Sequence, residues 1–130
     1  MTDKIITLAN LHEATEQEIF NQVARHLLTQ NRRSVDEKGF CKYRSGNLKC
    51  AAGCLISDEE YSPLMDSEES EGTGWLDLAS KGLVPTQHNL FIRSLQLVHD
   101  GMPDRYSQEE WFREVQRFAL KHDLTMPTMN

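Results

Sequence analysis

The chain has no apolar run approaching the ~20 residues that a membrane-spanning helix needs, and it contains neither an internal repeat nor a heptad pattern. Its first residues, MTDKIITLANL, carry one Lys and an Asp and lack a small-residue cleavage site. They read poorly as a secretory signal, so a cytoplasmic location is the expectation. Cysteine is scarce and odd in number: Cys41, Cys50 and Cys54. Without a secretion signal, that points to reduced thiols rather than a disulfide framework. Positive charge is in deficit, and a net charge of −6 argues against nucleic acid as a partner. What is present is ordinary: 130 residues, 38% hydrophobic and 26% charged, enough for one domain over 1–130 to bury a core without staples.

The charges are unevenly spread. Arg25, Arg32, Arg33, Lys38, Lys42, Arg44 and Lys49 face only two acids within the same stretch, whereas Asp58 to Asp77 holds eight acids and no base. A basic third is followed by an acidic one.

Phe40 to Tyr61, FCKYRSGNLKCAAGCLISDEEY, lies where these thirds meet. Phe40 to Arg44 alternates apolar and polar residues as a half-buried strand does. Ser45-Gly46-Asn47 supplies a turn, and Leu48-Lys49-Cys50 can return antiparallel. Ala51 to Ile56 then forms an uncharged run of small and branched residues that must be buried; if a helix starts at Ala51, its free N–H groups point towards the hairpin end.

Helices surround it. Thr15 and Glu18 form a capping box ahead of the apolar stripe Ile19, Phe20, Val23, Ala24, Leu27, Leu28, which predicts a helix from Glu16 to Gln30. Ser57 and Glu60 repeat the box before a single turn. Trp75 to Ala79 reads as a short helix closed by Gly82. Thr86 can cap a helix over Gln87 to Asp100 that is apolar on most of its circumference, with Leu90 and Leu97 opposite Phe91, Ile92, Leu95 and Val98; such a helix is expected to be central. Ser107 and Glu110 cap the last helix, with Tyr106 and Trp111 as a hydrophobic staple and Trp111, Phe112, Val115, Phe118 and Ala119 as its buried face. Residues 1–13 form an arm, 66–74 a mobile acidic loop and 125–130 a frayed tail. The fold class is mainly α: one compact helical domain with a small two-stranded hairpin, which alone would be marginal.

Cys41-x-Tyr43-Arg44, Gly46 and Lys49-Cys50-Ala51-x-Gly53-Cys54-Leu55-Ile56-x-Asp58-x-x-Tyr61 resemble a family of small proteins of tailed bacteriophages and bacteria. The leading helix ending in HLLTQ, the segment Leu95-Gln96-x-x-His99-Asp100 and the Trp-bearing last helix extend the likeness over most of the chain. The resemblance implies a phage or prophage setting and no particular chemistry.

Four chemistries compete for these residues. Three thiolates with His12, His26, His88, His99 or His122 could ligate zinc, but C-x8-C-x3-C lacks the C-x2-C knuckle and the thiols sit among Ala, Leu and Ile, so packing is preferred and no metal is assigned. Cys50 beside Lys49 and Arg44 could be an activated nucleophile with His99-Asp100, although neighbouring helical residues point ~100° apart, which places Asp100 badly to orient His99. The acidic run lacks calcium-loop spacing. An anion such as a nucleotide phosphate could sit on the Ala51 and Gly53 backbone, with Tyr43, Arg44 and Lys49 around it. The simpler alternative pairs Arg44 with Asp58 or Glu59 and is favoured.

The function expected first is therefore a non-enzymatic interaction protein that binds a host or phage protein, steered by Arg32 and Arg33 in an exposed connection, without a cofactor. A small-anion binder at Tyr43, Arg44 and Lys49 is second, and a cysteine enzyme or zinc protein third.

Overall fold

The computed structural model describes residues 5–35, 42–66, 74–102 and 107–128. Among them are four α-helices and one two-stranded antiparallel sheet, so the protein is mainly α with a small hairpin. The helices are α1 (Glu16–Gln30), α2 (Trp75–Ser80), α3 (Asn89–Asp100) and α4 (Gln108–Lys121); the strands are β1 (Arg44–Ser45) and β2 (Leu48–Lys49). None of these helices is long and apolar enough to cross a membrane.

α1 begins and ends where its local chemistry says it should. Thr15 Oγ1 accepts the Glu18 N–H, and the Glu18 carboxylate accepts the Thr15 N–H. Asn31 closes the helix in the left-handed region at φ 52°. Ser107 and Glu110 make the same reciprocal pair for α4. α3 starts later than the sequence suggests: Thr86 is not its cap, and His88, at φ 61°, precedes Asn89 without a side-chain cap.

α3 packs against each of the other three helices, so it is central in contact. It is not buried all round, however. Leu90 and Leu97 are 65% and 59% exposed, because no element covers that side among the described residues. Phe112, expected on the buried face of α4, is also exposed. Phe118 links three elements by stacking on Phe20 of α1, with centroids 5.8 Å apart, and meeting Phe91 of α3 edge-on at 5.7 Å.

The chain ends are tied to this core. Ile6 and Leu11 are buried, and the Gln22 amide clamps Ile6 by both its N–H and its carbonyl, at 2.7 and 2.8 Å. Thr125 exchanges two hydrogen bonds with Gln17, and Arg25 Nε donates to the Thr128 carbonyl. The tail is thus held along α1 as far as Thr128 rather than frayed from 125 onward. Tyr106 of the proposed staple, Phe40 and Cys41 lie outside the described residues.

Candidate functional site

The hairpin turns on Gly46-Asn47, with Gly46 at φ 62° in the first central position, the one that a type II′ turn reserves for glycine. Such a short ribbon needs outside support, and α1 provides it. The Gln30 amide accepts the Lys49 N–H and donates to the Lys49 carbonyl, at 2.9 and 2.8 Å, acting as a stand-in strand. His26 Nε2 donates to the same carbonyl at 2.7 Å.

Beyond β2 no helix starts at Ala51. Residues 51–52 turn, and Gly53–Leu55 make a single 3-10 turn. The stretch is buried as its composition requires, apart from the partly exposed Cys54. Its N–H groups from Ala52 to Ile56 are already used. Ala52 donates to Gln96 Oε1 at 2.9 Å, Gly53 to Cys50 Sγ and Cys54 to the Cys50 carbonyl. A phosphate therefore finds no helix N-terminus there and no free donor at Gly53.

Arg44 takes the simpler of its two expected roles. Nη1 lies 2.7 Å from Asp58, Nη2 donates to the Ile56 carbonyl at 2.8 Å, and the guanidinium sits 4.8 Å from the Tyr61 ring centroid. Lys49 approaches the same Asp58. Tyr43 is buried edge-on against Trp75, so its ring is not presented to solvent.

Asp66 is the residue that sequence reasoning missed. Assigned to a mobile loop, it instead ends the 3-10 turn Pro63–Asp66, and its carboxylate accepts the N–H groups of Tyr43 and Arg44 at 2.8 and 3.0 Å and the Tyr61 hydroxyl at 2.8 Å. Burial, with the help of this carboxylate, pushes the Tyr61 hydroxyl up to about 12. Residues 67–73 of that loop lie outside the described residues. Glu60 similarly reaches beyond its own capping box with Ser57 to accept the N–H groups of Leu8 and Ala9. Burial alone would raise its carboxyl, but these backbone donors lower it. The acidic third thus meets the basic third within the same molecule.

His99 and Ser34 are the two fully buried polar residues among those described, and they are bonded to each other. The Ser34 N–H donates to His99 Nε2 at 2.9 Å, so the ring is an acceptor there and its proton is on Nδ1. Nδ1 donates to Asp100 Oδ1 at 2.8 Å, which also takes the Gln96 amide at 2.7 Å. Asp100 therefore does orient His99, because the side-chain torsions close the angle between neighbouring positions. The resulting dyad faces the Ser34 backbone and the Trp111 ring rather than a nucleophile.

Burial pushes Cys50 well above the ordinary range and Cys54 up to about 12, with the positive charge of Lys49 too weak to reverse it. Cys54 Sγ donates to the Ala51 carbonyl. Among the described residues no three His, Cys, Asp or Glu side chains converge as metal ligands. Of the two arginines expected to steer a partner, Arg32 is exposed, whereas Arg33 is partly buried and donates to the Asp100 carbonyl at the end of α3.

His26 has a measurable consequence. Desolvation by burial pushes its imidazole below the ordinary 6.5, the hydrogen bond to the Lys49 carbonyl opposes this, and the Lys49 charge adds to it. A depressed folded-state value means that acid protonates the unfolded chain first. The stabilisation is complete above pH 6.5 and is lost as pH falls towards the folded-state value, at up to ~1.4 kcal/mol per pH unit. Urea denaturation across this range should therefore give a steeper acid-side loss for the native sequence than for His26→Gln, whose amide can still donate to Lys49. Equal slopes would show that His26 does not carry the effect.

The described surface offers a different kind of site between α3 and α4. A cleft of about 350 Å³ is lined by Leu97 and Val98 from α3, by Arg117, Phe118 and Lys121 from α4, and by His122 just after it. His122 stacks on Phe118 at 4.1 Å, which makes its floor aromatic. No family model, curated protein or solved structure matches this chain.

Proposed function

We propose that this chain is a non-enzymatic interaction protein that binds a host or phage protein, in the tailed-phage and bacterial setting that its motif resembles. The observation that carries this reading is where the motif's polar side chains end. His26 and Gln30 hold the Lys49 backbone, Arg44 the Ile56 carbonyl, Gln96 the Ala52 N–H and His99 the Ser34 N–H. Groups committed to the chain's own backbone serve the fold. The chemistry left for a partner is at the surface, where large apolar side chains stand exposed on α3 and α4 and Arg32 can add electrostatic steering.

A small-anion site at Tyr43, Arg44 and Lys49 is the second reading, favoured by one observation: the buried Arg44 Nε has no hydrogen-bond acceptor. One experiment separates the two. The tagged protein is used to recover partners from bacterial lysate, a recovered protein is purified and rebound, and thermal shifts are measured with a nucleotide panel. The interaction reading expects direct rebinding. It also expects Arg44→Ala to cost about 2 kcal/mol of stability through the lost charged hydrogen bond to Ile56, with no nucleotide response in either protein. A failure to rebind any partner, with a nucleotide-specific shift that Arg44→Ala abolishes, would establish the second reading instead.

A further inference from the structure

We infer that the α3–α4 cleft is the docking face, and that its occupant is an amphipathic helix of the partner whose apolar ridge is flanked by acidic residues; this deepens the interaction reading above and rests on it. Leu90 and Leu97 stand on the open side of α3, two turns or ~10 Å apart, at 65% and 59% exposure. That spacing matches a ridge of residues at i, i+3 or i+4 and i+7 on an incoming helix. Phe118 and His122 continue the apolar floor across to α4.

Charge selects the flanks. In a chain of net charge −6, the cleft is rimmed by Arg117 and Lys121 against Glu114 alone, and the exposed Arg93 stands on α3 between Leu90 and Leu97. Glu114 lies 3.3 Å from Arg117 and offsets only that one cation. An acidic ridge is therefore attracted and a basic one repelled. The chain's own tail is directed elsewhere, since Thr125 and Thr128 are bonded to Gln17 and Arg25 of α1.

The test uses the full-length protein, isotope-labelled, and two synthetic helical peptides of about 15 residues with the same leucine ridge, one flanked by Glu and one by Lys. The Glu peptide should shift the amide signals of Ser94, Leu97, Lys121 and His122. It should bind about ten-fold more tightly than the Lys peptide and weaken several-fold between ~50 and ~300 mM salt. Leu97→Glu should abolish the response, and Arg93→Glu with Lys121→Glu should invert the preference; these positions are at the surface, so the remaining spectrum reports an intact fold. Equal affinity for both peptides, shifts elsewhere, or none at millimolar peptide would overturn the inference. Concentration-dependent shifts of the same residues without peptide would also overturn it, by giving the cleft to a second copy. A lysate partner whose binding survives Leu97→Glu would remove the cleft proposal while leaving the interaction reading in place.

Discussion

Gly53→Leu should lower the melting temperature by ~10 °C or more, the largest effect expected of any single change in the central stretch. A Cβ placed on Gly53 would lie 2.3 Å from the Tyr43 carbonyl oxygen and 3.3 Å from Cys50 Sγ. The first obstacle is backbone, and it cannot easily withdraw. The Tyr43 and Arg44 N–H groups are both held by Asp66, and the Tyr43 carbonyl itself accepts the Cys50 N–H. Overpacking a well-filled site costs ~1–3 kcal/mol, and a rigid obstacle puts this substitution at or above the upper end. Gly53→Ala should already lose much of that stability, since the first added carbon makes the clash. A Gly53→Leu protein that melts with the native one would show that the two backbones are not in contact.

His99→Leu should cost about 3 kcal/mol despite its similar volume. The substitution strands the buried Ser34 N–H, which alone costs ~1–3 kcal/mol, and it removes one of the two donors on Asp100 Oδ1. Urea denaturation measures the loss, and hydrogen exchange locates it: the Ser34 amide should be protected in the native protein and exchange faster in the variant. Asp100→Asn is the companion change. An amide oxygen can still accept from His99 and Gln96, so its cost should be ~1 kcal/mol or less. A His99→Leu cost below ~1 kcal/mol, with Ser34 still protected, would mean that this N–H has another acceptor and that the network is not what joins α3 to Ser34.

The second expectation concerns a residue that the sequence made conspicuous for a different chemistry. His99-Asp100 drew notice as a catalytic pair, and Cys50 beside Lys49 as a nucleophile. In the fold His99 accepts the Ser34 N–H, and Cys50 is fully buried, which raises its thiol. Adjacent carboxylates and imidazoles look alike in sequence whether they face a substrate or a backbone amide. Only the position of Ser34, far away in the chain, distinguishes the two.

The bounds of α1 and the start of α4, the glycine turn of the hairpin and the burial of Ala51 to Ile56 were determined by the sequence itself. Each rests on interactions within a few residues: a capping side chain reaching the third N–H ahead, an apolar stripe at helical period, a left-handed glycine between two short strands. Tertiary structure decided the rest. Asp66 left its acidic run to hold Tyr43 and Arg44, Glu60 reached back to Leu8 and Ala9, and Arg44 and Arg33 were drawn onto backbone carbonyls. The same decision left Leu90 and Leu97 uncovered on a helix whose composition predicted burial. A carboxylate or a leucine carries no local mark of its distant partner, because desolvation and hydrogen bonding act between groups that only the packed fold brings within reach.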